Sequence, residues 1–455
     1  MILTVMRHEW RLMRRSPVSW WAAGLLLAAT AYALAGGLAW QQERADEAVA
    51  IAETGASMLA EQRASAAEDG GAVSQARTYA ALPPGPLAAF SVGLADLLPK
   101  HAEISIWRRP DTLFGRYQLE SPLSLLAGRF DLGFVVLYLL PLFILALSYD
   151  LLAAEREGGR LSLVLTQPLS LPGLLAAKLL ARLVLLTAFL AVVAAAAALA
   201  GAVPALAWPR LIGWLAVAWL YGALWLAVCA LVAAFARRSE TCAATLAAIW
   251  LIAVLVIPGL LEAAVGTLRP VPSRLEYVTA MRAASSEASQ ASSELLAQYY
   301  HEHPELAANG EQGGFLPAYY ASERDVERRL EPLLADFEQR LVSQQAWVER
   351  WRFASPAVLA QEALIELAGS SQRRHRQFQH DARAFLADWH AEMSPRIFLG
   401  QQLAPADYDG LPSFGFSEPA VSRQHFAGTV AGLTLPALLA LVVAYRRLDR
   451  FEVAS

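Results

Sequence analysis

Asp150 to Arg182 reads DLLAAEREGGRLSLVLTQPLSLPGLLAAKLLAR, a charged and jointed stretch set between two apolar runs. Its flanks, Phe134 to Leu152 and Leu179 to Gly201, are long enough at ~1.5 Å per residue to cross a hydrocarbon core of ~30 Å. The chain therefore leaves a membrane, makes a short articulated structure at its surface and goes back in. Glu155-Arg156-Glu157 cannot stay in hydrocarbon and must sit at the interface or in water. Gly158-Gly159 permits a sharp bend. From Arg160 to Gln167, Leu161, Val164 and Leu165 fall on one face of a helix of about two turns, which Pro168 stops. Ser170 is placed to cap the next helix, with Pro172 in its first turn. Lys178 and Arg182 return to the boundary, where their long stems are expected to snorkel.

Composition agrees with a membrane protein: 56% of the 455 residues are hydrophobic and only 17% are charged, far from the average soluble domain. Working outward from the articulated stretch, the sequence divides into a cytoplasmic segment (1–18), a first span (19–40) and an extracytoplasmic insertion (41–130). A second span (131–152), the articulated segment (153–178) and a third span (179–201) follow. Then come a fourth span (211–235), a fifth (241–263), a second extracytoplasmic domain (264–425), a sixth span (426–445) and a cytoplasmic tail (446–455). The expected fold is an all-α polytopic membrane protein with six transmembrane helices and two mainly helical extracytoplasmic insertions.

Orientation follows from the basic residues close to the spans. Arg7, Arg11, Arg14 and Arg15 precede the first; Arg156, Arg160, Lys178 and Arg182 lie in the stretch from Asp150 to Arg182; Arg237 and Arg238 separate the fourth and fifth; Arg446, Arg447 and Arg450 follow the last. With six spans all four clusters face one side, so both termini are expected in the cytoplasm. The basic stretch before the first span invites a signal-peptide reading, but the apolar run continues to Trp40, longer than a signal core, and reads as a retained anchor.

In the first insertion an Ala/Glu/Gln-rich run to about Ala80 reads as helix leaving the membrane, broken at LPPGPLAAF, with a short strand at AEISIW. In the second, Val326, Leu330, Leu333, Phe337 and Leu341, and again Phe378, Ala382, Phe385 and Trp389, recur at helical spacing and predict inward faces. Pro141, Pro258 and Pro436 lie within spans, where each frees backbone carbonyls. Cys229 and Cys242 read as reduced, packed thiols rather than a disulfide framework.

The chemistry of the chain is sparse. No G-x-x-x-x-G-K-[ST] run occurs, so the chain has no P-loop for ATP phosphates, and no cofactor is expected on it. His301, His303 and the run from His375 to His380 lack ligand spacing on a helix, so no metal site is expected. Within the spans ionisable residues sit only at the ends, at Asp131, Asp150, Arg182 and Glu262, which argues against a proton- or ion-coupled pump. No convergent nucleophile or acid/base set appears, which disfavours a membrane enzyme, and a net charge of −4 argues against nucleic acid.

The run Glu155-Arg156-Glu157-Gly158-Gly159-Arg160-Leu161, followed by Gln167-Pro168-Leu169-Ser170 and Lys178, resembles the ER-x-x-GTL…P…K signature of ABC-2 type transporter permeases. Arg160 stands where that family usually has threonine. PAYYASERDVERRL and SPAVLAQEALIELAGSSQRRHRQF resemble a subgroup whose soluble region carries only the label DUF3526. The resemblance implies a permease subunit in the bacterial inner membrane, most simply an exporter. It implies three kinds of partner: a cytosolic ABC ATPase that binds the ATP, a second permease copy or paralogue, and an envelope protein at the outer domain. In that family the articulated segment is the coupling helix that docks on the ATPase. Carried over here, Leu161, Val164 and Leu165 form the docking surface, Glu155 and Glu157 are its charged partners, and Gly158 and Pro168 are the joints. The competing expectation is a membrane-anchored signalling or scaffold protein that binds an envelope partner without moving cargo.

Overall fold

The computed structural model describes residues 2–93, 95–114, 130–159, 170–268, 270, 274–304, 306 and 314–450. It opens with α1 (Ile2–Arg15), which turns Leu3, Trp10 and Leu12 outward and buries Glu9. Ser16 caps α2 (Pro17–Asp69), with Pro17 in the first turn, and this helix runs unbroken for 53 residues. The span expected at 19–40 is thus the first part of one long helix, prolonged by helix-forming Ala, Glu and Gln after Gln41.

That helix ends earlier than its composition suggested. Gly70, at φ 77, turns the chain, and β1 (Arg77–Ala81) pairs antiparallel with β2 (His101–Ser105). The strand read at AEISIW is therefore present as β2. Its partner lies in the run read as helix to about Ala80, where Thr78 and Tyr79 favour a pleated, half-buried surface.

α3 (Leu132–Ala146) stands where the second span, 131–152, is expected, and is shorter. Its 15 residues cover only about 22 Å. The chain leaves the helix at Leu147, whose carbonyl accepts from Arg182 Nε at 2.9 Å, and Leu151 and Leu152 are wholly buried in the turns that follow. After a single turn, α4 (Ala153–Glu157), come α5 (Leu171–Leu199), α6 (Trp208–Phe235) and α7 (Ser239–Leu268). The segment after α7 holds α8 (Arg274–Gln290), α9 (Ser292–Glu302), α10 (Phe315–Trp351), α11 (Pro356–Ala368) and α12 (Gln372–Phe398), and α13 (Arg423–Asp449) follows. The molecule is mostly helical, and five helices, α2, α5, α6, α7 and α13, are long and apolar enough to cross a membrane. These are the features of a multi-pass membrane protein.

α6 is the axis of the apolar bundle. Trp214, Val217, Tyr221, Trp225 and Cys229 are almost wholly enclosed, packed by α5, α11 and α13. Gly222 lets α5 approach closely, since a Cβ there would lie 2.7 Å from Leu186 Cδ2. Cys242 is buried as well, and both thiols are free.

Two of the prolines act in parallel. In α3 a π-turn over Val135–Leu139 precedes Pro141, and in α7 a π-turn over Ile252–Val256 precedes Pro258. Each π-turn shifts the backbone pairing and each proline removes an N–H, so carbonyls are left without helical donors. Side chains from elsewhere supply the missing hydrogens: Tyr221 donates to the Leu137 carbonyl at 3.1 Å and Ser355 to the Ala253 carbonyl at 2.7 Å.

A second core lies apart from the bundle, in which Phe378, Ala382, Phe385 and Trp389 of α12 meet Ala80 and Ile104 of the hairpin. Val326 and Leu330 also turn inward as expected, packing with Ala284 and Ala288. Leu341 does not, and is exposed. α11 is set apart from these cores. Ala357, Ala360, Ala363, Leu364, Leu367 and Ala368 pack with the apolar bundle.

Candidate functional site

The elbow between α3 and α5 is built around the three charged residues of α4, each of which reaches a different helix. Glu155 pairs with Lys178 of α5. Arg156 donates through Nη1 to the carbonyls of Ala233 (3.1 Å) and Ala236 (2.7 Å) at the end of α6. Glu157 accepts from the Ser239 backbone N–H at 2.8 Å and from its hydroxyl at 2.9 Å, where α7 begins. The last carbonyls and first N–H groups of helices lack partners within the helix. A cation at a C-terminus and an anion at an N-terminus also complement the helix dipoles. The Glu-Arg-Glu run therefore grips the α6–α7 hairpin on both sides of its turn while holding α5.

A second set of charges ties α1 to the same point. Glu9 is 3.2 Å from Lys178 Nζ and 3.1 Å from Arg182 Nη1, and all three side chains are buried. This corrects the snorkelling expected of Lys178 and Arg182. A snorkelling stem needs water at its tip, and here Glu9, Glu155 and the Leu147 and Lys178 carbonyls take that place. The signal was present in the sequence, because Glu9 is the only acidic residue before Glu43.

Of the residues assigned to docking, Glu155, Glu157 and Gly158 lie together in this elbow. The sharp turn comes one residue after Gly158, at Gly159 with φ 64. Leu161, Val164, Leu165 and Pro168 lie outside the described residues, as does Arg160. The chain resumes at Ser170, which caps α5 by accepting from Gly173 N–H at 3.3 Å, with Pro172 in the first turn.

Hydrogen bonds from the Ser239 N–H and hydroxyl hold the Glu157 carboxyl below the usual carboxylate range. A depressed carboxyl contributes stability that is present above its unfolded pKa of about 4.3 and lost as pH falls through the folded value. Glu157→Gln is therefore expected to loosen the start of α7 at neutral pH and to match the parent protein once acid has protonated the carboxyl in the folded state too, measured by amide hydrogen exchange over 239–251 along a descending pH series. Equal exchange at neutral pH would show that the cap holds nothing.

Residues 274–417 match the family model of a domain of unknown function, DUF3526. No curated protein matches the chain. The matched stretch covers under a third of the chain. It runs from α8 through α12 into the irregular return towards α13, and so includes α11.

Where α2 leaves the bundle, a cleft of about 470 Å³, counted to its open mouth, lies between Trp40, Arg44, Pro83, Lys100 and the start of α12. Its cations are already engaged: Arg44 with Asp96 at 3.1 Å, Lys100 with Glu47 at 2.9 Å and Arg374 with Glu418 at 2.8 Å. Burial, with Arg374 beside it, pushes His375 down to about 4, so this imidazole is neutral at physiological pH. At the cleft α12 meets the segment after β1, with Arg374 Nη2 also donating to the Pro83 carbonyl at 3.0 Å.

Proposed function

We propose that the chain is the membrane-spanning permease subunit of an ATP-driven transporter of the ABC-2 type, an exporter that receives force from a separate cytosolic ATPase through the 155–178 segment. The observation that carries this reading is the elbow. Its three consecutive charged residues are fastened to α5, α6 and α7, and Lys178 extends the connection to α1, so a displacement of the elbow moves four helices together.

In this reading α3, extended by the buried turns after it, is the sixth span. Both termini and the elbow are cytoplasmic, and the two insertions face away from the cytoplasm of a bacterial inner membrane. The DUF3526 match supports the assignment, since that domain is associated with ABC-2 permease-like proteins. The functional transporter pairs this chain with a second copy or a paralogue, two ATPase subunits that bind the ATP, and an envelope partner at the outer domain.

Leu165→Asp is expected to abolish co-purification of the ATPase while leaving membrane insertion intact, because it places a charge on the apolar docking face. A full complement of ATPase on the variant would overturn the docking assignment. In reconstituted vesicles transport predicts ATP-dependent flux of cargo, whereas a scaffold predicts ATP-dependent partner binding without flux.

A further inference from the structure

The cleft beside Trp40 is bordered by polar groups that its own walls leave unsatisfied. Ser370 and His375 both line it, and they are only 5% and 6% exposed. Among the described residues nothing hydrogen-bonds the Ser370 hydroxyl or either ring nitrogen of His375. Buried polar atoms without partners are costly, and here three of them border one cleft.

The local fold puts them there. α11 ends on Gly369, whose φ of 78 turns the chain, and the Ser370 N–H closes that turn on the Ile365 carbonyl at 3.1 Å. Only the Ser370 hydroxyl is then left to be satisfied. A Cβ on Gly85 would lie 2.4 Å from the Gly369 carbonyl oxygen, and one on Gly369 would lie 2.7 Å from Pro86 Cδ, so this wall is backbone against backbone. Ser371 caps α12 by accepting from the Arg374 N–H at 3.3 Å. The cap and first turn of this 27-residue helix line the cleft through Ser371, Arg374 and His375. They bring N–H groups without helical partners, and the positive end of the helix dipole, to the same place.

The charged residues of the lining have one sign. Arg44, Lys100 and Arg374 are among them, and no aspartate or glutamate is, among the described residues. Their carboxylate partners stand outside the lining and fix the cations without exhausting their donors. Lys100 Nζ, which has three hydrogens, gives one to Glu47 at 2.9 Å. A neutral imidazole has one N–H and one bare nitrogen, so His375 and the Ser370 hydroxyl can both donate and accept. Trp40 closes the apolar first part of α2, which places the cleft at the level of lipid headgroups.

We propose that this cleft binds a phosphate ester with a neighbouring hydroxyl, the chemistry of a glycerophosphate, its phosphate on Lys100 and the start of α12 and its hydroxyl on Ser370 and His375. A phosphate suits these donors better than a flat carboxylate, because its tetrahedral oxygens face the segment before β2 and the start of α12 together. A phospholipid headgroup and a free glycerophosphate present the same group. The proposal rests neither on transport nor on the direction in which the chain crosses the membrane.

The test is titration calorimetry on the full chain, delipidated in detergent, with heats corrected for protein-free micelles. The probes are glycerol 3-phosphate and dihexanoyl phosphatidylglycerol, with glycerate and dihexanoyl phosphatidylcholine as comparisons. Saturable binding of glycerol 3-phosphate supports the site with a free ester as its source, and binding of phosphatidylglycerol alone supports it with a lipid headgroup. Ser370→Ala and Lys100→Gln are each expected to weaken binding at least tenfold, whereas Arg340→Gln, exposed on α10, leaves it unchanged. Without ligand, Ser370→Ala should melt no lower than the parent, since the hydroxyl removed has no partner; a lower melting temperature overturns the proposal. Binding of neither probe overturns it, and so does binding that both variants retain in full. Equal affinity for glycerate or for phosphatidylcholine overturns the chemistry assigned to the occupant.

Discussion

Glu9→Ala is expected to destabilise the protein by about 3 kcal/mol, one of the two largest losses for a single substitution among those proposed. Removing one partner of a buried ion pair leaves an uncompensated charge, which typically costs about 3–5 kcal/mol. The lower end applies because Lys178 keeps Glu155, and Arg182 keeps the Leu147 and Lys178 carbonyls. Thermal unfolding of the purified protein, followed against Arg11→Ala on the exposed side of the same helix, separates this loss from a general weakening of α1. The control should stay within about 0.5 kcal/mol. Combining Glu9→Gln with Lys178→Met should cost less than the sum of the two single changes, since neither charge is then left alone. Strict additivity would show that the Glu9–Lys178 pair does not hold α1. If α1 does detach in Glu9→Ala, the elbow loses one of its four helices, and the proposed transport function then requires ATP-driven flux to fall more than ATPase co-purification does.

Much of the bundle was legible because a membrane span announces itself in composition over about 20 residues, and caps such as Ser170 with Pro172 are local. What escaped depends on distant partners. The shortening of α3 follows from Arg182 reaching the Leu147 carbonyl, and the burial of Lys178 depends on a glutamate near the other end of the chain. Helix propensity carried the reading of the first insertion past Gly70, where a strand pairing with His101–Ser105 outweighed it. In the elbow, the charged residues were recognised as a motif, but their use as clamps on Ala233, Ala236 and Ser239 requires the fold. The prolines were legible as sites of freed carbonyls. The hydroxyls that satisfy two of them were not, because Tyr221 and Ser355 lie 84 and 102 residues away in sequence. Such long-range satisfaction also explains why a stretch read wholly as outer domain contains a helix packed into the bundle.

Ser355→Ala is expected to cost about 2–4 kcal/mol, and to do so at one place. The Ser355 oxygen accepts from Ala357 and Val358 N–H as the cap of α11, and losing a cap costs about 1 kcal/mol. The same hydroxyl donates to the Ala253 carbonyl, and leaving a buried carbonyl unsatisfied costs about 1–3 kcal/mol more. Along α7 no other donor is in line, since the Ile257 N–H turns back to Ile252 and Pro258 has none. Amide exchange over 356–368 should therefore rise in the variant, while exchange over α12, which packs in the separate outer core, should not. Restoring an N–H to α7 offers a rescue: Pro258→Ala in the Ser355→Ala background should recover the carbonyl's share and leave the cap's share lost. Full protection of α11 in Ser355→Ala would mean that apolar packing alone seats the helix. Partial recovery with Pro258→Ala would establish that α11 and the kink of α7 are joined through one hydroxyl.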